Sequence, residues 1–251
     1  MKIRIKFRKY GTMKFIGHLD VMRYFQKAIR RADVDVCYSG GFSPHQIMSF
    51  AAPLGVGITS NGEYVDIEVS STKDSETMKK CLNGVMSEGF EVVSYRGLPD
   101  DAANAMSIVG AGDYTLAFRP GYEPEDMDKE TWFQGLIAFF ERPSVMVTKK
   151  TKRGEKEMDL KPLVYELRIC PEGDGEMEGP RLFMKISAGS AANVKPEQVL
   201  DAYYGFLGKE RPPFAFMVQR EEVYADRASD AEKEAGIHSF ISLEQLGEEI
   251  R

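Results

Sequence analysis

The chain opens with the alternation of a strand that is buried on one face. In residues 3–9, IRIKFRK, isoleucine and phenylalanine alternate with arginine and lysine, so one face is apolar and the other is basic. From residue 19 to residue 32 the apolar positions recur every three or four residues, which predicts a helix. The opposite face of this helix carries Arg23, Lys27, Arg30 and Arg31. Both patterns predict a basic N-terminal lobe.

The pattern continues with further strands and a second helix. Extended segments are predicted at VDVCYS, QIMSFAA and EYVDIEV, a helix over residues 74–88, and a strand at FEVVSYR. The resulting order is strand, helix, strand, strand, helix, strand, which is typical of the split βαβ unit of ferredoxin-like sheets. We therefore predict a first domain over residues 1–99.

The same order returns after residues 100–113, DDAANAMSIVGAGD, which predict a linker. We expect an α+β protein with two ferredoxin-like units in tandem, at residues 1–99 and 114–225. The sheets should be mainly antiparallel, with helices on one face. Residues 226–251 predict a polar tail that ends in a short helix, since Ser242 begins a capping box there.

Composition places the chain among intracellular globular proteins. It has 251 residues, of which 43% are hydrophobic, enough for two domains of ordinary size. No apolar run is long enough for a signal peptide or a membrane span, so we expect a cytoplasmic protein without membrane contact. Cys37, Cys81 and Cys170 are scattered, without a CxxC pair. This spacing predicts reduced thiols, no metal site and no cofactor in this chain.

Charge is distributed unevenly along the sequence. The net charge is −6, yet residues 1–50 contain ten Lys and Arg against three acidic residues. A locally basic lobe attracts polyanions such as RNA even when the whole chain is acidic. A basic face that is merely solvated is the alternative.

The stretch GHLDVMR contains the first candidates for chemistry, His18 and Asp20. Asp20 suits a helix N-terminus, where unpaired N–H groups and the helix dipole favour a carboxylate. The functional alternative is a polar pair facing a cleft, with His18 titrating near neutral pH. His45 completes this candidate catalytic set. No hydrolase motif accompanies it, so no reaction is assigned.

Two loops are candidate anion-binding sites. SGGFSPH contains Ser39, Gly40, Gly41 and Ser43, whose backbone N–H and hydroxyl groups suit a phosphate. AGSAAN contains Gly189 and Ser190 directly before a predicted helix. Ordinary turns are the alternative in both places, because neither loop is a nucleotide-binding signature.

A predicted hairpin, TKKTKRGEKEMDLKP (148–162), is the last candidate. Lys150, Lys152 and Arg153 lie beside its turn, where they would reach a phosphate backbone. Acidic residues in the second arm dilute this charge, and a solvated edge hairpin is the alternative.

The residues from GHLDVMRYFQKAIRR to EYVDIEV resemble the start of an uncharacterised bacterial family known as radical SAM-linked proteins. KRGEKEMDLKPLV and AGSAANVKPEQVL resemble later motifs of that family, so the resemblance covers most of residues 1–205. Its members occur beside a radical SAM protein or fused to its C-terminus, often near genes for ribonuclease G and ribosomal proteins. The resemblance implies a radical SAM protein as partner and no known reaction. This chain lacks the cysteines of a radical SAM cluster, so radical chemistry would belong to the partner.

From these observations we expect a non-catalytic accessory of a radical SAM enzyme that binds or presents ribosomal or transfer RNA. One alternative is an RNA-modifying or RNA-cleaving enzyme that uses His18, Asp20 and His45. Another is a protein-only adaptor. Basic residues clustered with SGGFSPH on one surface would favour RNA, whereas an exposed apolar patch would favour the adaptor. No oligomeric state follows from the sequence.

Overall fold

The computed structural model has two compact units. It describes residues 1–151, 154–173, 177–189 and 192–251, without the side chains of residues 149–151, 156 and 171–173. Unit 1 comprises residues 1–110 and 220–251, and unit 2 comprises residues 111–219. Helices and mostly antiparallel strands confirm the predicted α+β class. The finer prediction of two tandem ferredoxin-like units stays a prediction.

Unit 1 follows the predicted order of elements over its first hundred residues. These elements are β1 (Lys2–Lys9), α1 (His18–Arg31), β2 (Met48–Phe50), β3 (Thr59–Glu68), α2 (Ser75–Asn83) and β4 (Phe90–Leu98). A 3-10 turn, Gly11–Phe15, precedes α1. The predicted strand VDVCYS forms only isolated bridges, at Val36 and Tyr38.

The sheet of unit 1 is centred on β1, which pairs antiparallel with β3 and with β4. Strand β2 pairs with the last residues of β3. The apolar face predicted for β1 is confirmed, because Ile3, Ile5 and Phe7 are buried. Phe25 of α1 packs on Phe7 with ring centroids 4.4 Å apart. Full burial of such a side chain contributes roughly 1.5–3 kcal/mol, so this face fixes α1 to the sheet.

The segment predicted as a linker, residues 100–113, is structured. It contains α3 (Ala105–Ile108) and the start of β5 (Val109–Phe118). One of its small residues, Gly110, lies where another segment approaches closely. A Cβ atom at Gly110 would lie 2.9 Å from the Cβ of Asp226.

Unit 2 contains a three-stranded antiparallel arrangement and a separate hairpin. Its elements are β5, α4 (Lys129–Phe140), β6 (Met146–Thr151), β7 (Gly154–Asp159), β8 (Val164–Gly173), β9 (Gly179–Ser187) and α5 (Pro196–Phe206). The strand β10 (Phe216–Asp226) begins in unit 2, but most of its residues belong to unit 1. Strand β9 lies between β5 and β8, and β6 pairs with β7. Trp132 of α4 packs against Tyr203 of α5. Pro196 occupies the first turn of α5, as predicted.

Residues 226–251 form part of unit 1 and not an independent tail. They contain α6 (Asp230–Glu234), β11 (Phe240–Ser242), a 3-10 helix (Leu243–Leu246) and β12 (Glu248–Glu249). The predicted capping box is confirmed, since the Gln245 N–H donates to the Ser242 hydroxyl at 3.4 Å. Strand β11 pairs with β10, and β12 pairs with β4. These long-range pairings explain why the division of the chain differs from the predicted domains 1–99, 114–225 and 226–251.

Among the helices of the described residues, none combines the length and the apolar character needed to cross a membrane.

Candidate functional site

The loop 39–45, SGGFSPH, is closed at its base by hydrogen bonds. The Ser39 N–H donates to the His45 carbonyl at 2.8 Å, and the Ser39 hydroxyl lies 2.9 Å from His45 Nδ1. Gly41 has a φ of +97°, a left-handed conformation that glycine adopts without strain. The loop therefore has a fixed base. His45 already contacts the Ser39 hydroxyl. Of the groups predicted to bind an anion, the Ser43 hydroxyl and the N–H groups of Gly40 and Gly41 therefore remain as candidates.

Phe42 lies at the tip of this loop with its side chain fully exposed. Tyr38, at the foot of the loop, is 51% exposed. A Cβ atom at Gly40 or Gly41 would meet nothing within 4 Å, so the space around the tip is open. A large exposed ring on a glycine turn provides a surface on which a planar group stacks.

The solvent face of α1 carries the four predicted cations, which are all exposed. Arg23 lies 3.4 Å from Asp20, and Arg31 donates to the Val85 carbonyl at 3.1 Å. Lys27 and Arg30 make no ion pair or side-chain hydrogen bond within the described residues. These two cations are therefore available to a ligand.

A buried glutamine joins the loop to α1. Gln46 follows the loop directly, and its Nε2 donates to the Gln26 carbonyl in the middle of the helix at 3.2 Å. On a helix, Arg23 and Arg30 lie one turn before and after Gln26. The end of the loop therefore contacts the middle of α1. We call residues 38–46 together with the solvent face of α1 the loop–helix surface.

Each of the three candidate catalytic residues contacts a different partner, and none forms a hydrogen bond or ion pair with another of the three within the described residues. The His18 ring packs edge-on against Phe50, with centroids 5.3 Å apart. Asp20 contacts Arg23 and does not cap α1, because the N-cap is Gly17 and no side chain caps there. Within the described residues no hydrogen bond joins His18 to Asp20 or to His45. The expected capping bond of Asp20 is therefore absent, while its place in the first turn still suits the helix dipole.

The polar face of β1, which the alternation predicts to be basic, is paired with carboxylates inside unit 1. The Arg4 guanidinium is buried, with Nε 2.8 Å from Asp66. Lys6 Nζ lies 2.7 Å from Glu222 and 3.0 Å from Glu244. Residues 220–251 return across this face and supply the last two carboxylates, an arrangement that sequence periodicity does not encode. The face is neutralised within unit 1.

Burial and charge set the pKa values of this cluster. Burial alone lowers the pKa of Lys6, but hydrogen bonds and attraction to Glu222 and Glu244 outweigh it and raise that pKa. Burial raises the pKa of Glu244, but the Lys6 ammonium outweighs this and lowers it. Burial, together with the charge of Glu222 beside its hydroxyl, raises the pKa of Tyr64. Both shifts favour the charged forms, so Lys6 is an ammonium and Glu244 a carboxylate at neutral pH.

The candidates in unit 2 are less defined. The strands β6 and β7 confirm the two arms of the predicted hairpin, but Lys152, Arg153 and the side chain of Lys150 lie outside the described residues. Ser190 lies outside them too. The neighbouring Gly189 N–H donates to the Ala192 carbonyl at 3.1 Å, so this group is already used by the turn.

Sequence reasoning overlooked Phe42, although it lies inside a loop singled out for its glycines and serines. The signal was present, because a phenylalanine between turn residues has no neighbouring apolar periodicity to bury it. The described residues contain no group of three or more His, Cys, Asp and Glu side chains arranged to hold a metal ion.

Fold and surface together define an α+β protein with an aromatic and cationic surface in its first unit. The chain belongs to the family described as uncharacterized protein conserved in bacteria (DUF2344), whose model matches residues 2–196. No curated protein matches the chain. The family match ends before residues 220–251, which complete unit 1.

Proposed function

We propose that this protein is a non-catalytic accessory of a radical SAM enzyme and that it binds single-stranded RNA on the loop–helix surface. The observation that carries the RNA proposal is the Gln46 to Gln26 hydrogen bond. It joins the end of the loop that bears the exposed Phe42 to α1, the helix whose solvent face carries the cations.

The chemistry of this surface suits RNA because it combines stacking with phosphate contacts. Proteins that bind single strands stack bases on aromatic side chains, each worth about 1–3 kcal/mol, and track the backbone with lysine and arginine. Phe42 and Tyr38 supply the rings. Lys27 and Arg30 supply cations that have no partner within the described residues.

The partner part of the proposal rests on the resemblance of GHLDVMR and the motifs that follow it to radical SAM-linked proteins. A cytoplasmic location fits such a partner. Ribosomal or transfer RNA is the proposed class of ligand because genes for ribonuclease G and ribosomal proteins accompany the resembling family.

We also propose that each unit is built on a ferredoxin-like sheet. The order β4-β1-β3-β2 in unit 1 supports this, since the split βαβ unit places its first strand between its third and fourth. In unit 2, β5 is followed by α4, by the pair β8 and β9, and by α5, with β9 beside β5. The hairpin β6–β7 is then an insertion.

A protein-only adaptor is the second candidate, and one observation favours it. Phe15, Leu19 and Val56 are exposed near the start of α1, and the Gly57 N–H donates to the Lys14 carbonyl at 2.7 Å, which brings two of these segments together. Exposed apolar residues that cluster suit a protein partner.

The RNA proposal is tested by fluorescence anisotropy of a labelled single-stranded oligonucleotide at several salt concentrations. Phe42→Ala should weaken binding about tenfold, because one stacked base is lost. The double variant Lys27→Gln with Arg30→Gln should reduce the log–log salt slope by about 1.4, since each phosphate contact contributes about 0.7.

Matched controls separate this surface from general charge and apolarity. The double variant Lys73→Gln with Lys80→Gln removes the same charge elsewhere on unit 1, and Phe214→Ala removes another exposed ring. Both should bind like the wild type. If the wild-type protein binds no RNA at low salt, alone or with its radical SAM partner, the RNA proposal is wrong and the adaptor is favoured.

A further inference from the structure

We propose that a cleft in unit 2, between the edge of β6 and helix α5, binds an extended acidic peptide segment of a partner protein as an added strand. This site is separate from the loop–helix surface and does not depend on the proposed RNA binding.

The cleft has a volume of about 540 Å³. It is lined by the end of α4, the start of β6 and one face of α5. This volume lies within the range of specific ligand sites in proteins. A groove between a strand and a helix is also the shape that accepts an extended peptide.

The edge of β6 supplies unpaired backbone groups along this cleft. Among the described strands β6 pairs with β7 alone, and the Leu160 N–H donates to the Val145 carbonyl at 2.9 Å. In an antiparallel pair, residues whose backbone groups point to the partner strand alternate with residues whose backbone groups point away from it. The bond at Val145 therefore shows which residues of β6 point towards β7. Met146 and Thr148 therefore turn their N–H and C=O groups away from β7, towards an added strand.

The walls of the cleft supply the apolar contacts that alternate side chains of a strand need. Phe206 is 50% exposed and Met146 is 57% exposed, and both line the cleft together with Phe139. The rings of Phe139 and Phe206 stack with centroids 5.0 Å apart. A ligand that covers these apolar side chains removes them from water, which favours binding.

Charge complementarity makes the segment acidic. The Arg142 guanidinium lies 4.1 Å from the Phe206 ring centroid and has no carboxylate partner within the described residues. Asp201, the carboxylate of the cleft, is already paired with Arg211 at 2.6 Å. The free charge of the cleft is therefore positive, and Arg142 suits a glutamate, an aspartate or a terminal carboxylate.

A small-molecule ligand fits the same observations less well. Among the described residues that line the cleft, no polar side chain is buried, whereas small-molecule sites fix orientation with precisely placed polar groups. The outward backbone groups of Met146 and Thr148 are matched only by another backbone.

The test is a titration of the full-length protein with a fluorescent six-residue peptide of alternating valine and threonine that ends in glutamate. Gly205→Leu should weaken binding more than tenfold by filling the cleft, since a Cβ atom at Gly205 meets nothing within 4 Å. Thr148→Pro should weaken it similarly, because it removes an outward N–H and leaves the bonds to β7 intact. Thermal unfolding checks that both variants fold.

Charge and backbone contacts are tested separately. Arg142→Gln should weaken binding about fivefold, and replacing the terminal glutamate by glutamine should cause no further loss in that variant. Lys209→Gln, outside the cleft, should bind like the wild type. Two further peptides are methylated on the odd-numbered or on the even-numbered backbone nitrogens. At least one of them should lose binding, because an added strand uses every second N–H group.

Three results would overturn the proposal. The first is no binding of the peptide up to about 1 mM, a range that covers weak complexes. The second is equal binding by the wild type, Gly205→Leu and Thr148→Pro. The third is self-association of the protein in sedimentation that Thr148→Pro abolishes without peptide binding, because the edge of β6 would then join two copies of this chain.

Discussion

Lys6 is the residue of β1 that pairs with two carboxylates of the returning segment 220–251. Its ammonium contacts two carboxylates, Glu222 and Glu244, and its side chain is 13% exposed. Removing one partner of a buried ion pair costs more than the pair contributes, because the remaining charge is left without compensation. Here two carboxylates would be left facing each other.

We expect Lys6→Met to lower the free energy of unfolding by about 3–5 kcal/mol. Arg8→Met is the matched control, because Arg8 lies on the same face of β1 but pairs with Glu91 in solvent. An exposed pair is worth about 0–1 kcal/mol, so this variant should lose little. Urea unfolding measures both, and equal losses would contradict the account of the cluster.

At the level of elements, residues 240–250 act as a strap across the polar face of β1. The Ile250 N–H donates to the Ser75 hydroxyl at 2.8 Å, and the Ser75 N–H donates to the Ile250 carbonyl at 2.9 Å. Arg4 Nη1 donates to the Leu243 carbonyl at 3.1 Å. Strand pairing, these bonds and the charge of Glu244 hold the strap.

The contribution of Glu244 depends on pH with a defined sign. Its folded-state pKa is lowered, so its stabilisation is complete above the ordinary value of about 4.3 and is lost as the pH falls through the folded pKa. We expect Glu244→Gln to flatten the decline in unfolding free energy below pH 4.5 or so. Denaturant unfolding between neutral and acidic pH measures this.

Glu248→Gln is the control for that series, because Glu248 is exposed on β12. It should keep the pH profile of the wild type. A Glu244→Gln profile that also matches the wild type would show that Lys6, and Arg96 with its Nε 3.7 Å from Glu244, do not stabilise this carboxylate.

Local periodicity was sufficient to predict elements such as β1 and α1. Isoleucine at alternate positions and Phe25 and Ile29 at helical spacing mark faces that are buried in the structure. It was not sufficient for Arg4 and Lys6, because their partners lie more than sixty positions away. The small residues around Gly110 led to the prediction of a linker. Small residues occur both in linkers and where two segments pack closely, so composition alone does not distinguish the two. For the candidate site, the cations of α1 followed from the pattern, whereas the Gln46 contact required the fold.

At the scale of the whole molecule, the chain path makes the two units unequal. Unit 2 is one continuous stretch, residues 111–219, whereas unit 1 combines residues 1–110 with residues 220–251. Without the second segment, Arg4 keeps Asp66 but loses the Leu243 carbonyl, and Lys6 loses both carboxylates.

We expect a fragment of residues 111–219 to fold alone and a fragment of residues 1–110 to remain unfolded. Adding residues 220–251 as a separate peptide should restore the structure of the first fragment, because it supplies strand pairing and the strap. Amide NMR spectra measure each case. A dispersed spectrum from residues 1–110 alone would contradict the dependence on the returning segment.

The return of the chain to unit 1 also orders events on the ribosome. Synthesis proceeds from the N-terminus, and continuous domains fold as they emerge. Residues 1–110 emerge before unit 2 and lack their partner segment while unit 2 is made, so we expect the nascent chain to expose the basic face of β1 during that interval. We therefore expect unit 1 to close only when the strap arrives, so that residues 1–110, although they are synthesised before unit 2, become stable after it.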